Sequence, residues 1–434
     1  CLYATDNYAR GVGLSLISIA AKKASISTCM IDRGIQTPPK NNKKRGISML
    51  IVVIKSNREA KIINGYPNIF RDEVRAIEGE EEDGAICNVF SQDYQFLGKG
   101  YYSTSSVAVR MLTTKDEEID YEFFNRRVKA AVKRRATGFS DSLRVIHGEA
   151  DALPGVIVDR YGDYLALQVR NKGMERSKEY LIKALVENLH PRGIYERSDF
   201  ESSVADVISR NVGLLYGEVP PDVLYVTEHG IKYKVDIKKG QKTGFFFDQR
   251  DSRLFIRSLT SPQSLALDAF AFTGGFALNM AAANASKVIA LDKDEESVLL
   301  GRENVLLNGF KNVEFLHTRY EDYMSSYAGP PFDIIVLDPP SLIKKKEEQK
   351  KGLQIFSNLV SLAKPHLKEG GVLGLCSCAY QADVDLLISA LRRAYDQSGK
   401  SLQVLGITYQ SEDHPWVLNI PESLYLKCIW VKVY

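Results

Sequence analysis

The chain has 434 residues, 44% hydrophobic and 26% charged; at roughly 100 to 200 residues per domain this ordinary globular composition predicts two to four domains. No run approaches the roughly 18 apolar residues of a membrane-spanning helix, and six scattered cysteines without CxxC or paired Cys/His spacing argue against a disulfide scaffold or a structural zinc site. The net charge of +3 names no partner, because eight Lys/Arg against two acids in residues 1–48 account for it and leave the remainder slightly acidic.

Residues 1–48 place a Lys pair after their short apolar stretch, the reverse of a signal peptide, and end in PPKNNKKRGIS. They are expected to be a non-native or disordered extension, with Met49 the natural start. From Met49 the pattern turns to short strands, LIVVIK, AICNVF, FLGKGYY and VAVRML, separated by Gly, Asn, Asp and Ser, which predicts a small β-rich domain over 49–115. FFNRRVKAAVKRRA then places apolar residues at helical spacing among Arg126, Arg127, Lys129, Lys133, Arg134 and Arg135. This is a linker helix with a basic face, either solvated or in contact with RNA. LRVIHG, VIVDRY and YLALQVR, a helix from about Ser177 to Leu189, and GIYERS complete an α/β connecting domain over 116–221.

Beyond Asp222 strand and helix alternate regularly, as in an α/β sheet with helices on both faces. Seven strands are expected, at 265–270, 287–292, 313–317, 332–338, 371–377, 402–407 and 424–433. The first ends in Asp268 and runs into AFTGGFALNMAA, so a Gly pair sits where strand turns to helix and backbone N–H groups are open to a ligand. The second ends in Asp292, about 20 residues on, where a carboxylate can accept from ribose hydroxyls. Asp338, followed by two stiffening prolines, marks the carboxyl edge after the fourth strand and can hold the amino group of a base. The fifth strand ends in Cys376-Ser377-Cys378, either of which is a candidate nucleophile or a buried packing residue.

Several longer segments are more specific: HGEADALPGVIVDRYGD (147–163), RGIYERSD (192–199), GQKTGFFFDQRDSR (240–253), DAFAFTGGFAL (268–278), LDPPS (337–341), CSC (376–378) and PESLYLK (421–427). On these, residues 49–434 resemble the PUA-containing class I methyltransferases of the RlmI type, which methylate cytosine C5 in large-subunit ribosomal RNA. The resemblance implies a PUA RNA-binding domain, a connecting α/β domain and a Rossmann-like class I methyltransferase domain of 222–434 that binds S-adenosylmethionine. It places Lys242, Phe246 and Gln249 over the methionine end of the cofactor, Asp268 with Thr273, Gly274 and Gly275 in its cradle, and Asp292 on its ribose. It further implies that the Cys378 thiolate adds to cytosine C6, making C5 nucleophilic toward the methyl group, while Asp338 orients and protonates the pyrimidine; Cys376 is the alternative thiol. A cytoplasmic enzyme acting on ribosomal RNA, as a possible homodimer and without membrane contact, is the corresponding expectation.

The sequence departs from the family pattern at three places. The acid expected to meet the adenine amino group falls on Arg319, with Asp322 or Glu321 as substitutes; the aromatic after DPPx is Leu342; and the usual His-Pro-Trp of the first domain reads Tyr66-Pro67-Asn68. Two other functions remain open: an RNA methyltransferase directed at a nitrogen, using Asp338 without a cysteine nucleophile, and a cofactor-binding assembly factor without turnover. An ordinary thiol has a pKa of about 8.5, so Cys378 needs local activation; the sequence does not say what supplies it.

Overall fold

The computed structural model describes residues 49–135, 141–199, 211–240, 243–343 and 345–434. The expected extension 1–48 and Lys242 lie outside them. Residues Arg45–Tyr434 form one compact unit, whose described part is built on three principal sheets and a hairpin. Among the described residues no helix is long and apolar enough to cross a membrane.

The four β-rich runs after Met49 become Leu50–Ile54, Ile86–Phe90, Phe96–Tyr102 and Val107–Thr113. They are joined in one six-stranded sheet by Asn68–Phe70 and Val74–Glu78. These two strands, and the short helix Glu59–Ile63, escape sequence periodicity because runs of three and five residues carry too few alternations to read.

The basic segment forms the helix Tyr121–Arg134, started by Asp120, whose carboxylate accepts from Phe123 N at 3.0 Å. Its apolar face, Phe123, Phe124, Val128 and Ala131, packs in one cluster with Tyr101 and Leu112 of the first sheet and Leu143 and Leu165 of the next. Half of its basic residues hold the fold together rather than face a partner. Arg127 donates to the carbonyls of Ala152 and Leu112, and Arg134 and Arg135 both pair with buried Asp151 at 2.7 Å. Only Arg126, Lys129 and Lys133 of the six are left for a role outside the core; Arg126 pairs with Glu117, and the two lysines are exposed.

A five-stranded sheet follows, with Tyr164–Val169 at its centre and Val212–Gly217 at one edge, covered by the helix Lys178–Leu189. The hairpin Leu224–Glu228 and Ile231–Val235 leads into the last sheet. Its strands are β1 (Leu265–Ala269), β2 (Lys287–Asp292), β3 (Val313–His317), β4 (Phe332–Leu337), β5 (Leu367–Ser377), β6 (Leu402–Tyr409) and β7 (Lys427–Val433). They lie in the order β3-β2-β1-β4-β5-β7-β6, parallel from β1 to β5, with β7 antiparallel to both β5 and β6. Apolar clusters cover both faces, which is why these strands read as near-continuous Val/Ile/Leu runs. The chain winds outward from β1 to β3, then crosses back to β4, so the β1/β4 junction is the reversal point where such sheets open a ligand crevice.

Trp430 of β7 is fully buried because Gly374 on β5, its register partner, leaves room for the indole. A Cβ at Gly374 would sit 2.3 Å from the ring. Gly374→Ala is therefore expected to destabilise the fold by about 1 to 3 kcal/mol through overpacking, read as a lower urea midpoint at unchanged slope.

Candidate active site at the carboxyl edge of the seven-stranded sheet

Asp268, near the end of β1, is fully buried. Its Oδ2 accepts from Ala277 N at 2.8 Å, tying the strand to the first turn of the helix Gly275–Ala282, whereas Oδ1 has no hydrogen-bond partner among the described residues. Burial pushes its pKa well above the usual carboxylate range; the Ala277 hydrogen bond opposes this, and the nearby Asp338 and Asp292 carboxylates add to it. The connecting turn is strained. Phe270 and Phe272 take φ of 65° and 50°, left-handed backbone that is rare for bulky residues and gathers at functional sites. Gly274 follows at φ 96°, with the Phe315 ring 2.8 Å from where a Cβ would lie.

Asp292, at the end of β2, braces this turn: one carboxylate oxygen accepts from Phe272 N at 2.8 Å and the other from Asp294 N at 2.9 Å. Each oxygen keeps a lone pair for a further donor. Thr273 is buried, and its carbonyl accepts from Asn304 at 3.1 Å. Phe246 meets Phe272 edge to face with ring centroids 5.0 Å apart, so the segment 243–249 packs directly on the turn. From the same segment Gln249 Nε2 donates to Asp338 Oδ2 at 2.9 Å. The expected set of Phe246, Gln249, Asp268, Thr273–Gly275, Asp292 and Asp338 thus converges around the β1/β4 reversal. An unsatisfied buried carboxylate oxygen, free lone pairs on Asp292 and a turn without side chains at Gly274 and Gly275 fit an adenosyl-bearing cofactor.

Asp322 does not join this group. It is exposed in the first turn of the helix Tyr320–Ser326, and among the described residues no contact ties its carboxylate to the cluster. Arg319 beside it pairs with Glu321 at 3.7 Å.

The two sequence-candidate cysteines are sharply distinguished. Cys376 is fully buried on β5 and forms a disulfide with Cys428, its antiparallel register partner on β7. This corrects the expectation of Cys376 as the alternative nucleophile: a sulfur committed to a cross-strand bond in the core has no thiol to offer. No local pattern signals this pair, because 52 residues separate the partners and only strand order brings them together. Cys378 follows β5, is a thiol and is half-buried.

Around Cys378 stand residues to which the sequence assigned no role. Tyr425 is half-buried with its hydroxyl donating to Asp248 at 2.7 Å, and His147 stacks on its ring, centroids 5.8 Å apart. Burial, with His414, Arg144 and Arg135 nearby, pushes His147 well below the usual imidazole range, so it is neutral. Lys427 is buried too, donating to the Ala379 and Tyr425 carbonyls. Beneath them runs an ion network. Glu228 accepts from Arg250 and Arg253, Arg250 reaches Asp413 and the Ser142 carbonyl, and Arg144 pairs with Asp159 at 2.7 Å. His147, stacked on Tyr425, and Asp159, which also accepts from Thr243, both within HGEADALPGVIVDRYGD, join the middle sheet to the catalytic domain. The segments quoted from the sequence contain these residues, but their bonding emerges only from the packing of the two sheets.

Comparison with known proteins agrees with this geometry. Residues 52–114 match a PUA-like domain and residues 210–395 an S-adenosylmethionine-dependent methyltransferase. The chain is 34% identical over 387 residues to ribosomal RNA large subunit methyltransferase I of Shigella boydii serotype 18, covering 87% of this chain and 97% of that protein. It is 35% identical to the protein of that name from Klebsiella pneumoniae, covering 87% and 96%. Among solved structures, a putative SAM-dependent methyltransferase from Streptococcus mutans superimposes with a TM-score of 0.76 at 20% identity, covering 88% of this chain and all of that one. A putative methyltransferase complexed with SAH also gives 0.76, at 21% identity. With its PUA-like and S-adenosylmethionine-dependent methyltransferase domains, the chain belongs to the ribosomal RNA large subunit methyltransferase I family.

Proposed function

We propose that the protein transfers a methyl group to carbon 5 of a cytosine in large-subunit ribosomal RNA, with Cys378 as the nucleophile. The observation that carries this reading is the Cys378 thiol, half-buried just beyond β5 on the edge that also bears Asp338. The relatives' activity on ribosomal RNA supports the substrate class. When bound, S-adenosylmethionine supplies the electrophilic methyl group. The Cys378 thiolate adds to C6 of the cytosine and gives C5 carbanion character; once C5 carries the methyl group, a base removes its proton and the thiolate leaves. Asp338, oriented by Gln249, directs and protonates the pyrimidine.

In this reading residues 49–115 grip RNA, 116–221 connect and 222–434 catalyse. A cleft of about 510 Å³ between the first sheet and the helix Tyr121–Arg134, bordered by Tyr66, Lys115 and Arg126, is the RNA-facing surface. Asp292 holds the cofactor ribose. Hydrogen bonds to a charged group contribute about 1.5 to 3 kcal/mol, so Asp292→Ala is expected to weaken S-adenosylmethionine binding by about 10- to 150-fold in isothermal titration calorimetry.

The deciding experiment is transfer from labelled S-adenosylmethionine to protein-free large-subunit RNA lacking its native modification, followed by nucleoside analysis. Labelled 5-methylcytidine is expected. A labelled purine would replace this reading with nitrogen-directed transfer.

A further inference from the structure

We infer that Lys427 is the positioning residue that activates Cys378, its buried ammonium clamping the turn that carries the thiol and standing as counter-charge to the thiolate. The inference rests on the reading of Cys378 as nucleophile and names what the sequence left open, the source of its activation.

Lys427 opens β7 directly opposite Ser377, the last residue of β5, so its side chain starts one residue from Cys378. It is only 3% exposed. Its Nζ donates to the carbonyl of Ala379 at 2.7 Å and to that of Tyr425 at 2.9 Å, binding the residue after the thiol to the strand that faces it. An ammonium has three protons and needs an anion as well as dipoles when buried. Among the described residues no carboxylate lies within ion-pair distance of Lys427. The charges acting on it are the Cys378 thiolate and, less strongly, Asp383. A buried ammonium bound to the carbonyl of the residue after a thiol is a nearby positive charge of the kind that stabilises a thiolate.

Among the described residues, Tyr425 and the groups packed beside it do not do this. The Tyr425 hydroxyl donates to the Asp248 carboxylate, and burial, with Asp248 beside it, raises its pKa well above the usual phenol range although Arg144 opposes this; it contributes no positive charge. The Arg144 guanidinium is taken bidentately by Asp159, and His147 is neutral. Burial lowers Lys427 to about 8, against the pull of Cys378 and Asp383, so its ammonium form predominates at neutral pH and is lost above that value.

The test is the pH dependence of iodoacetamide alkylation at Cys378, followed by peptide mass analysis in the full-length protein. Cys87 serves as an internal control, since burial pushes its thiol up to about 12. In wild type the alkylation midpoint is expected below the ordinary value of about 8.5. Lys427→Met should raise it by about 1 to 3 pH units, and Lys427→Arg, which keeps the charge, should hold it near the wild-type value. Methyl transfer by Lys427→Met at neutral pH should fall about 10- to 1,000-fold in kcat and recover as the pH is raised, with the KM for S-adenosylmethionine unchanged.

A wild-type midpoint at or above the ordinary value would overturn the inference, and that measurement needs no variant to fold. So would equal shifts in the Met and Arg variants, which would reduce Lys427 to packing. A midpoint that follows the lysine charge while Cys378→Ala still methylates RNA would keep the lysine–thiol coupling and remove the nucleophile reading instead.

Discussion

Cys378→Ala should lower methyl transfer by about 10⁴-fold or more, the order of loss when a covalent nucleophile is removed from its catalytic group, while leaving S-adenosylmethionine binding within twofold of wild type. The binding term is spared because the proposed cofactor contacts lie on β1, β2 and the 243–249 segment, and the thiol lies beyond β5 on the far side of Asp338. Cys376→Ser is the matched control. It breaks the bond to Cys428 and should reduce stability, yet leave kcat within about threefold, since Cys376 is sealed in the core and reaches no substrate. Rapid-quench rates on labelled RNA for the two variants, measured beside calorimetric cofactor affinities, separate the roles. A Cys378→Ala protein that still forms 5-methylcytidine would end the covalent mechanism.

The largest effect on stability is expected at Glu228. It is buried with one oxygen accepting from Arg253 Nε at 2.7 Å and the other from Arg253 and Arg250. Glu228→Ala takes the carboxylate from buried Arg253 and the nearer of two from Arg250, whose contact with Asp413 is 3.4 Å, a change that costs about 3 to 5 kcal/mol. Glu228→Gln should be milder, because the amide oxygen still accepts. The pH dependence follows from the same contacts. Burial works to raise the Glu228 pKa, but Arg253 and Arg250 outweigh it and hold the carboxyl below its usual value. A carboxylate whose folded pKa lies below its unfolded value of about 4.3 contributes its full stability above that value and loses it as pH falls through the folded one. Urea unfolding of wild type should therefore show a drop in midpoint in that acid window that is absent from Glu228→Ala.

These two sites also mark how far the residues alone could be read. All seven catalytic strands, the Gly turn after Asp268 and the carboxylates at Asp292 and Asp338 were legible, because each is a local pattern: an apolar run of strand length, a glycine pair, an acid at a strand end. Family resemblance added Phe246 and Gln249, whose contacts with Phe272 and Asp338 no local pattern announces. What escaped depends on side chains distant in the chain. Glu228 and Arg253 look like ordinary surface charges until the hairpin Leu224–Glu228 folds against the helix Arg250–Leu259. Lys427 reads as a routine strand lysine until β7 inserts between β5 and β6. The basic run 126–135 misleads in the opposite sense: its residues read as a charged surface, yet Arg135 is buried and donates to the Asp413 carbonyl at the other end of the sequence.

The shared core of Tyr101, Leu112, Phe123 and Leu143, with the Arg135–Asp413 and Arg250–Ser142 contacts beyond it, fixes the first sheet to the last through interlocked packing rather than through a slack tether. On the proposed reading the molecule is then a ruler. The span from the cleft beside Tyr66 to the thiol of Cys378 is set by the folded chain, so a cytosine reaches Asp338 and the thiol only where its distance from the gripped stretch of RNA matches that span.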